Sequence, residues 1–426
     1  MYIKRIIIDN VRCFRHLDID LSTKEGVNNW AVFLGNNGVG KTTIMRCIAL
    51  CLCEESGAAG LLDELHGDFI RIEDSDKKAT IRIEFEKIDS FSKVPFIETT
   101  IKLSKFGEVE LTQETAPAGS KIWDKLFVCG YGANRRQFGT ESYAEYTVTD
   151  AIYSLFNYAA PMQNIELNLR RLDKEIDLEN LFRKIEDILL LDEKSIRLGR
   201  NGISIKGPWG SFMPMGTLGD GYQATLAWIM DMYGWKLLYE KKMKDPQISG
   251  IVILDEIEQH LHPLWQKEII NRLSRQYKQI QFFVATHSPI VAINSFKTRQ
   301  DDPNSKLYHI AWDSGDKESN STISEIQEPI NELDYNQLLE SEAFGHMTSS
   351  NAKVDELLKE MSELASIDNP TKGQKQILET IKKDLKKLMF PSGRTLIERE
   401  VERDYYKELE LKADNFNKLL KNKTFK

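Results

Sequence analysis

Gly35-Asn36-Asn37-Gly38-Val39-Gly40-Lys41-Thr42 decides the fold. The stretch fills every position of the P-loop pattern and stands in the surroundings that pattern requires. Before it, Trp30-Ala31-Val32-Phe33-Leu34 is a short, continuous apolar run of the buried-strand kind. After it, Thr43-Ile44-Met45-Arg46-Cys47-Ile48-Ala49-Leu50 has helical character. The glycines let backbone N–H groups turn inward around phosphate oxygens, and the start of the following helix favours negative charge. In such a loop Lys41 bridges the β- and γ-phosphates of ATP, and the Thr42 hydroxyl holds Mg²⁺. The candidate nucleotide-binding residues are therefore Gly35, Asn36, Asn37, Gly38, Val39, Gly40, Lys41, Thr42 and Thr43. A glycine turn with a chance lysine fits the eight-residue spacing poorly.

Working outward, Ile251-Val252-Ile253-Leu254-Asp255-Glu256 is an apolar strand that ends in two carboxylates. Such a pair is common as a loop or helix cap. Beside a P-loop it acquires a chemistry: Asp255 as a metal residue accepting from Mg²⁺-bound water, and Glu256 orienting or deprotonating the attacking water. About thirty residues on, a further strand ends at Ala285-Thr286-His287-Ser288-Pro289, where His287 could meet the γ-phosphate and the water. A lone histidine is more often an ordinary buried or capping group. His260 and His262 stand at i and i+2, do not share a helix face, and are read as structural or partner-contact residues. Gly219-Asp220-Gly221 precedes an apolar helix from Ala224 to Leu238 and could receive a second anion.

The rest of the pattern frames these motifs. Residues 79–112 alternate like antiparallel strands, 150–192 read as two helices interrupted by Pro161, and Gly199-Arg200-Asn201-Gly202 joins two short strands. Strands alternating with helices after 250 predict a mostly parallel sheet. Helices are expected at 351–365, 373–390 and 394–421. Asp313-Ser314-Gly315-Asp316 reads as a loop.

Composition narrows the class. The chain has 426 residues, 41% hydrophobic and 29% charged, enough to bury two or three packed lobes and too apolar for a disordered chain. No apolar run reaches the ~20 residues of a membrane span. The N-terminus, Met1 to Asp9, reads as a strand and not a signal peptide. Five cysteines, three of them crowded at Cys47, Cys51 and Cys53, lack the second ligand cluster of a zinc site and point to reduced thiols in the cytoplasm. The net charge of −8 argues against a basic nucleic-acid-binding particle. Residues 381–426 run against that balance, with 13 Lys/Arg against 8 Asp/Glu.

The ordered set of P-loop, glycine-rich signature, Asp-Glu pair with a His-Leu-His-Pro run, and Thr-His-Ser-Pro resembles the ABC-type ATPase heads of the SMC, RecF and OLD relatives over roughly residues 1–330. Val128-Cys129-Gly130-Tyr131-Gly132-Ala133-Asn134-Arg135 is similar to a segment of the OLD-like branch. The resemblance implies an α/β, bilobal P-loop head. Its P-loop lobe would span 1–149, a short helical insert 150–195 and a signature and Walker B lobe 196–330, with a helical C-terminal domain at 331–426 for assembly or docking. It also implies that two heads sandwich ATP, with Gly219, Asp220 and Gly221 of one facing the P-loop, Asp255, Glu256 and His287 of the other. Catalysis would rest on Glu256, His287 and Lys41, and Mg²⁺ on Thr42 and Asp255.

Two departures bear on the expected activity. Gly219 stands where the signature usually has Ser, so a hydroxyl contact to the γ-phosphate is missing and slow hydrolysis is expected. The Toprim nuclease half of the OLD enzymes has no counterpart after Pro289, so no nuclease site is expected in this chain. The insert is also too short for the coiled coil of SMC proteins. A compact head with a helical tail most resembles the ATPases of Septu antiphage defence systems, and the relatives found beside retrons look similar. That likeness implies a self-associating ATPase that controls a separate HNH nuclease, with nucleic acid engaged through the complex. The alternatives are a RecF-like repair ATPase that binds DNA itself and an ATP-gated scaffold with little turnover.

Overall fold

The computed structural model describes residues 2–326, with gaps at 24–25, 66–68, 72–77, 87–93, 104–108, 119–121, 124–125, 136–142, 144, 164–165, 167–168, 170–176, 201, 241–249, 296–304 and 314–319. Beyond 326 it describes 357, 360–361 and 372–389. The chain forms two compact units, Met1–Met347 and Thr348–Lys426.

In the first unit, β1 (Ile3–Val11) and β2 (Phe14–Asp20) form an antiparallel pair, and the two-residue strands β3 (Ser22–Thr23) and β4 (Gly26–Val27) lead to β5 (Trp30–Leu34). Helices α1 (Lys41–Leu52) and α2 (Glu55–Asp63) follow, then β6 (Lys78–Phe85), β7 (Phe96–Leu103) and β8 (Val109–Ala116). These last three join β1 and β2 in a five-stranded antiparallel sheet ordered β2-β1-β6-β7-β8. The expected antiparallel strands of 79–112 lie here. In β6 the alternation is plain: Ala79, Ile81, Ile83 and Phe85 are buried, while Thr80, Arg82 and Glu84 face outward.

After β9 (Val128–Tyr131) come α3 (Val148–Ile152), a 3₁₀ turn at Tyr153–Leu155 and α4 (Leu178–Ile188). A three-stranded sheet of β10 (Ile196–Gly199), β11 (Gly202–Lys206) and β12 (Phe212–Pro214) follows, its first hairpin pairing Gly199 with Gly202. Asn201 of that turn lies outside the described residues. Then come α5 (Asp220–Tyr239), β13 (Gly250–Leu254), α6 (Pro263–Gln276), β14 (Ile280–Thr286), α7 (Pro289–Ser295), β15 (Ser305–Asp313) and β16 (Asn320–Glu325).

The central sheet is ordered β16-β15-β5-β14-β13-β9 and is parallel except for β16 at its edge. Asp313 is the last residue of β15, so it ends a strand where the sequence suggested a loop. Period two sends alternate residues of each inner strand into two cores. Trp30, Val32, Leu34, Val252, Leu254, Phe282 and Val284 meet α5 and α6 on one face. Ala31, Phe33, Ile251, Ile253, Phe283 and Ala285 meet α1 on the other, with the five-stranded sheet beyond it. Helix α1 packs on both sheets, which is why 11 of its 12 residues are buried and it shows no polar stripe.

One buried glutamine stitches the two large sheets together. The Gln281 side chain accepts from the Ile3 N–H at 2.7 Å and donates to the carbonyls of Ile3 (2.8 Å) and Asn28 (2.9 Å). In the second unit α8 (Lys372–Met389) matches the helix expected at 373–390. The helix expected at 394–421 and nearly all of that at 351–365 lie outside the described residues. No described helix is long and apolar enough to cross a membrane.

Candidate functional site

The glycine loop runs from the C-terminal end of β5 to the first residue of α1, at the mouth of the central sheet where open α/β folds place their ligands. Gly38 (φ +86°) and Gly40 (φ +106°) both take the left-handed backbone that suits glycine. A Cβ on Gly40 would collide with the Cys13 sulfur and the Phe14 ring, while one on Gly38 would meet open space. Gly40 is pressed against β2, and Gly38 stands clear at the rim. The Lys41 ammonium donates to the carbonyls of Gly35 (2.7 Å) and Asn36 (2.8 Å), which leaves one of its three N–H donors over. Burial pulls its pKa down, against the upward pull of Asp255, Glu258 and Glu256.

Thr42 and Asp255 meet across the sheet. The Thr42 hydroxyl donates to Asp255 Oδ2 at 2.7 Å, while Asp255 Oδ1 is buried without a hydrogen-bond partner. Burial raises the Asp255 pKa despite the Thr42 bond and the nearby cations Arg135, Arg46 and Lys41. A buried carboxylate oxygen with no partner is costly, so this one is explained by a donor or cation that it awaits. One hydroxyl and one carboxylate suit Mg²⁺, which keeps several waters and takes few protein ligands. The residues present therefore fit Mg²⁺ bound with a nucleotide triphosphate.

Glu256 is half-buried and has a left-handed backbone (φ +49°). Burial, then the neighbouring Asp255, raises its carboxyl pKa. His287 is held by Glu258, a residue to which the sequence reading gave no role. Glu258 accepts from the His287 backbone N–H (2.7 Å) and the Thr286 hydroxyl (2.8 Å), and its Oε1 lies 2.9 Å from His287 Nδ1. Burial alone would raise the Glu258 pKa, but these contacts outweigh it and lower it. The hydrogen bond to Glu258 in turn raises that of His287.

Arg135 is the second residue the sequence reading left without a role. Its guanidinium, buried beneath the acidic pair, donates to the backbone carbonyls of Asp255 (2.9 Å) and Glu256. Burial pulls its pKa down to about 10, against the pull of Asp255, Glu258 and Glu256. The glycines upstream were the available signal. A Cβ on Gly132 would strike the Ser154 carbonyl, so glycine marks a close backbone approach that fixes this segment.

Gly219, Asp220 and Gly221 occupy another neighbourhood. Gly219 precedes α5, Asp220 is its first residue, and a Cβ on Gly221 would lie 2.6 Å from the His260 carbonyl oxygen. His262 caps α6, its Nδ1 accepting from the Leu264 N–H at 3.3 Å. Helix α5 is tied back to β9 by a buried acid. Asp231 accepts from the Tyr131 hydroxyl (3.0 Å) and the Gln163 N–H (2.7 Å), and burial pushes its carboxyl up to about 7. The Cys13 thiol, half-buried, donates to the Val39 carbonyl at 3.6 Å, while Cys47, Cys51, Cys53 and Cys129 are fully buried.

The family model described as AAA domain matches residues 5–206, the stretch that carries the loop, α1 and Arg135. Septu protein PtuA of Bacillus mycoides (strain KBAB4) is 29% identical over 294 residues, 68% of this chain and 38% of that protein. The chain resembles Septu protein PtuA. The retron Ec83 probable ATPase of Escherichia coli is 27% identical over 233 residues, 53% of this chain and 35% of that one. The chain thus spans less than two fifths of the length of these curated relatives. Among solved structures, the SmcHead bound to the C-winged helix domain of ScpA aligns with a TM-score of 0.49 at 16% identity, covering 77% of this chain and 98% of that one. The P-loop at the end of β5 and the acidic pair at the end of β13, two strands away in a parallel sheet, give the chain an α/β fold that resembles P-loop ATPase heads.

Proposed function

We propose that the chain binds ATP with Mg²⁺ and hydrolyses it slowly, as the ATPase subunit of an antiphage defence complex that assembles and regulates a separate HNH nuclease. The observation that carries the ATP-site reading is the Thr42–Asp255 pair, which faces the glycine loop with one carboxylate oxygen unpartnered. The likeness to PtuA supports the defence role.

In this reading the loop N–H groups and Lys41 bind and orient the phosphates. Thr42 and Asp255 would hold the ion, which would supply positive charge to offset that developing on the phosphates. Glu256 takes the proton of the attacking water, and its raised pKa makes it a stronger base than an exposed glutamate. His287, carried on Glu258, lines the same mouth. Gly219 offers no hydroxyl, which supports slow turnover. Two heads would close the site, with Gly219–Gly221 of one against the loop of the other. The C-terminal helical domain, residues 331–426, would dock the nuclease, and nucleic acid would be engaged by the complex in the cytoplasm.

The test joins chemistry to biology. Lys41→Ala is expected to abolish tight ATP binding, and Glu256→Gln to keep binding while slowing hydrolysis about 100-fold or more. Each variant, co-expressed with an HNH nuclease of the Septu kind, should lose both phage protection and nuclease control. Equal turnover in wild type and Glu256→Gln removes the base from Glu256, and protection that survives Lys41→Ala removes ATP from the defence role.

A further inference from the structure

We propose that Arg135 is the positioning residue that sets the backbone of Glu256 and so aims its carboxylate; this rests on the reading of Glu256 as the base. The two carbonyls that Arg135 grips, those of Asp255 and Glu256, belong to the peptide planes on either side of the Glu256 Cα. Fixing both planes fixes φ and ψ of that residue and nothing else. Glu256 needs such a clamp. A left-handed backbone on a residue with a Cβ costs of order 1 kcal/mol or more and persists only where the surroundings over-determine it.

The clamp is itself rigidly held. Strand β9 runs parallel to β13 in register, Tyr131 opposite Leu254, and the Asp255 N–H donates to the Tyr131 carbonyl at 2.9 Å. The Gly132 N–H donates to the Ser154 hydroxyl at 3.3 Å, and the Asn134 side chain donates to the Tyr158 carbonyl at 2.7 Å. The guanidinium at the end of this segment is 2% exposed. A buried cation is tolerated there because Asp255, Glu256 and Glu258 surround it with negative charge. Both bonds leave from one guanidinium nitrogen, Nη2, whose two N–H groups are fixed in the guanidinium plane, whereas an ammonium rotates freely, so lysine retains the charge but not the fixed aim.

Downstream of Glu256 two amides report on the clamp without any nucleotide. The Ile257 N–H donates to the Ala285 carbonyl (3.2 Å) and the Gln259 N–H to the Glu256 carbonyl (3.0 Å). In the full chain without nucleotide, Arg135→Gln is expected to speed hydrogen exchange at these two amides about tenfold or more while α1 and β14 exchange as in wild type. Arg135→Lys should fall between. With Mg²⁺ and ATP, Arg135→Gln should lower kcat roughly 100-fold, because a misaimed base fails in the transition state. The ATP Kd should stay within about threefold. Unchanged exchange at Ile257 and Gln259 overturns the proposal. So does faster exchange spread evenly through α1 and β14 with ATP binding and kcat falling together, the mark of a merely structural arginine. If wild-type turnover does not depend on Glu256, the proposed function fails, and the exchange result alone still decides whether Arg135 sets the Glu256 backbone.

Discussion

The Thr42 hydroxyl lies 2.7 Å from Asp255 Oδ2 although 213 residues separate them in the chain. Two strands that are not neighbours, β5 and β13, bring them together because β14 inserts between them. Thr42→Val removes the donor with little change in volume and leaves both Asp255 oxygens without it. The Mg²⁺ concentration for half-maximal hydrolysis should then rise about tenfold or more, a loss of ~1.4 kcal/mol, whereas Thr42→Ser should stay near wild type. A Mg²⁺ titration of ATP turnover on the three proteins decides it.

Gly40 and Gly60 make a matched pair of alanine substitutions. A Cβ at Gly40 meets the Cys13 sulfur and the Phe14 ring from a left-handed backbone, and one at Gly60 in α2 meets nothing. Gly40→Ala should cost roughly 2 kcal/mol or more of stability. Gly60→Ala should gain about 0.5–1 kcal/mol through helix propensity. Denaturation midpoints that move together for the two variants would contradict the crowding beneath Gly40.

The His287–Glu258 pair predicts a pH window. The His287 pKa is raised in the fold, so its stabilisation is complete below its ordinary 6.5 and is lost as pH rises through the higher folded value. The Glu258 pKa is lowered, so its share is present above its ordinary 4.5 and is lost as pH falls through the folded value. His287→Gln should therefore destabilise most between the ordinary Glu258 and His287 values of 4.5 and 6.5, and progressively less as pH rises through the folded His287 value. Thermal melts across that range test the sign, and a deficit that grows with pH would refute it.

Asp231, unlike Glu258, is a carboxyl whose pKa the fold raises. Burial lifts its carboxyl to about 7, so the folded protein holds a proton that the unfolded chain releases near 3.8. Stability from this group falls as pH rises between those values. Asp231→Asn cannot ionise and still offers an oxygen to the Gln163 N–H. Its melting temperature relative to wild type should climb between pH 5 and pH 8, and a flat difference would show that the carboxyl is not the titrating group.

The local text carried the loop, the acidic pair and three of the six central strands, β5, β13 and β14, because each is a contiguous run with its own period. Glu258 and Arg135 were less legible for a physical reason. Glu258 reads as one more acid in a turn until β14 sets His287 beside it, and Arg135 is one of two adjacent arginines until β9 pairs with β13. Their roles are properties of strand order, which no single segment encodes. Strands β15 and β16 were passed over because their buried residues are interleaved with Lys306, His309 and a run of Ser and Thr, a mixed pattern at the sheet's outer edge.

The thiols of this chain have a practical consequence. Burial pushes Cys51 and Cys53 up to about 12 and Cys47 and Cys129 well above the ordinary range, so alkylating reagents find four of the five sulfurs sealed and protonated. Cys13, part-buried and with its thiol pKa also raised by burial, is the least enclosed of the five, and its thiol rests on the carbonyl of Val39 inside the glycine loop. The native chain thus supplies its own attachment point for a fluorophore. The rate at which a maleimide couples there is a clock for how often the phosphate cradle lifts off β2.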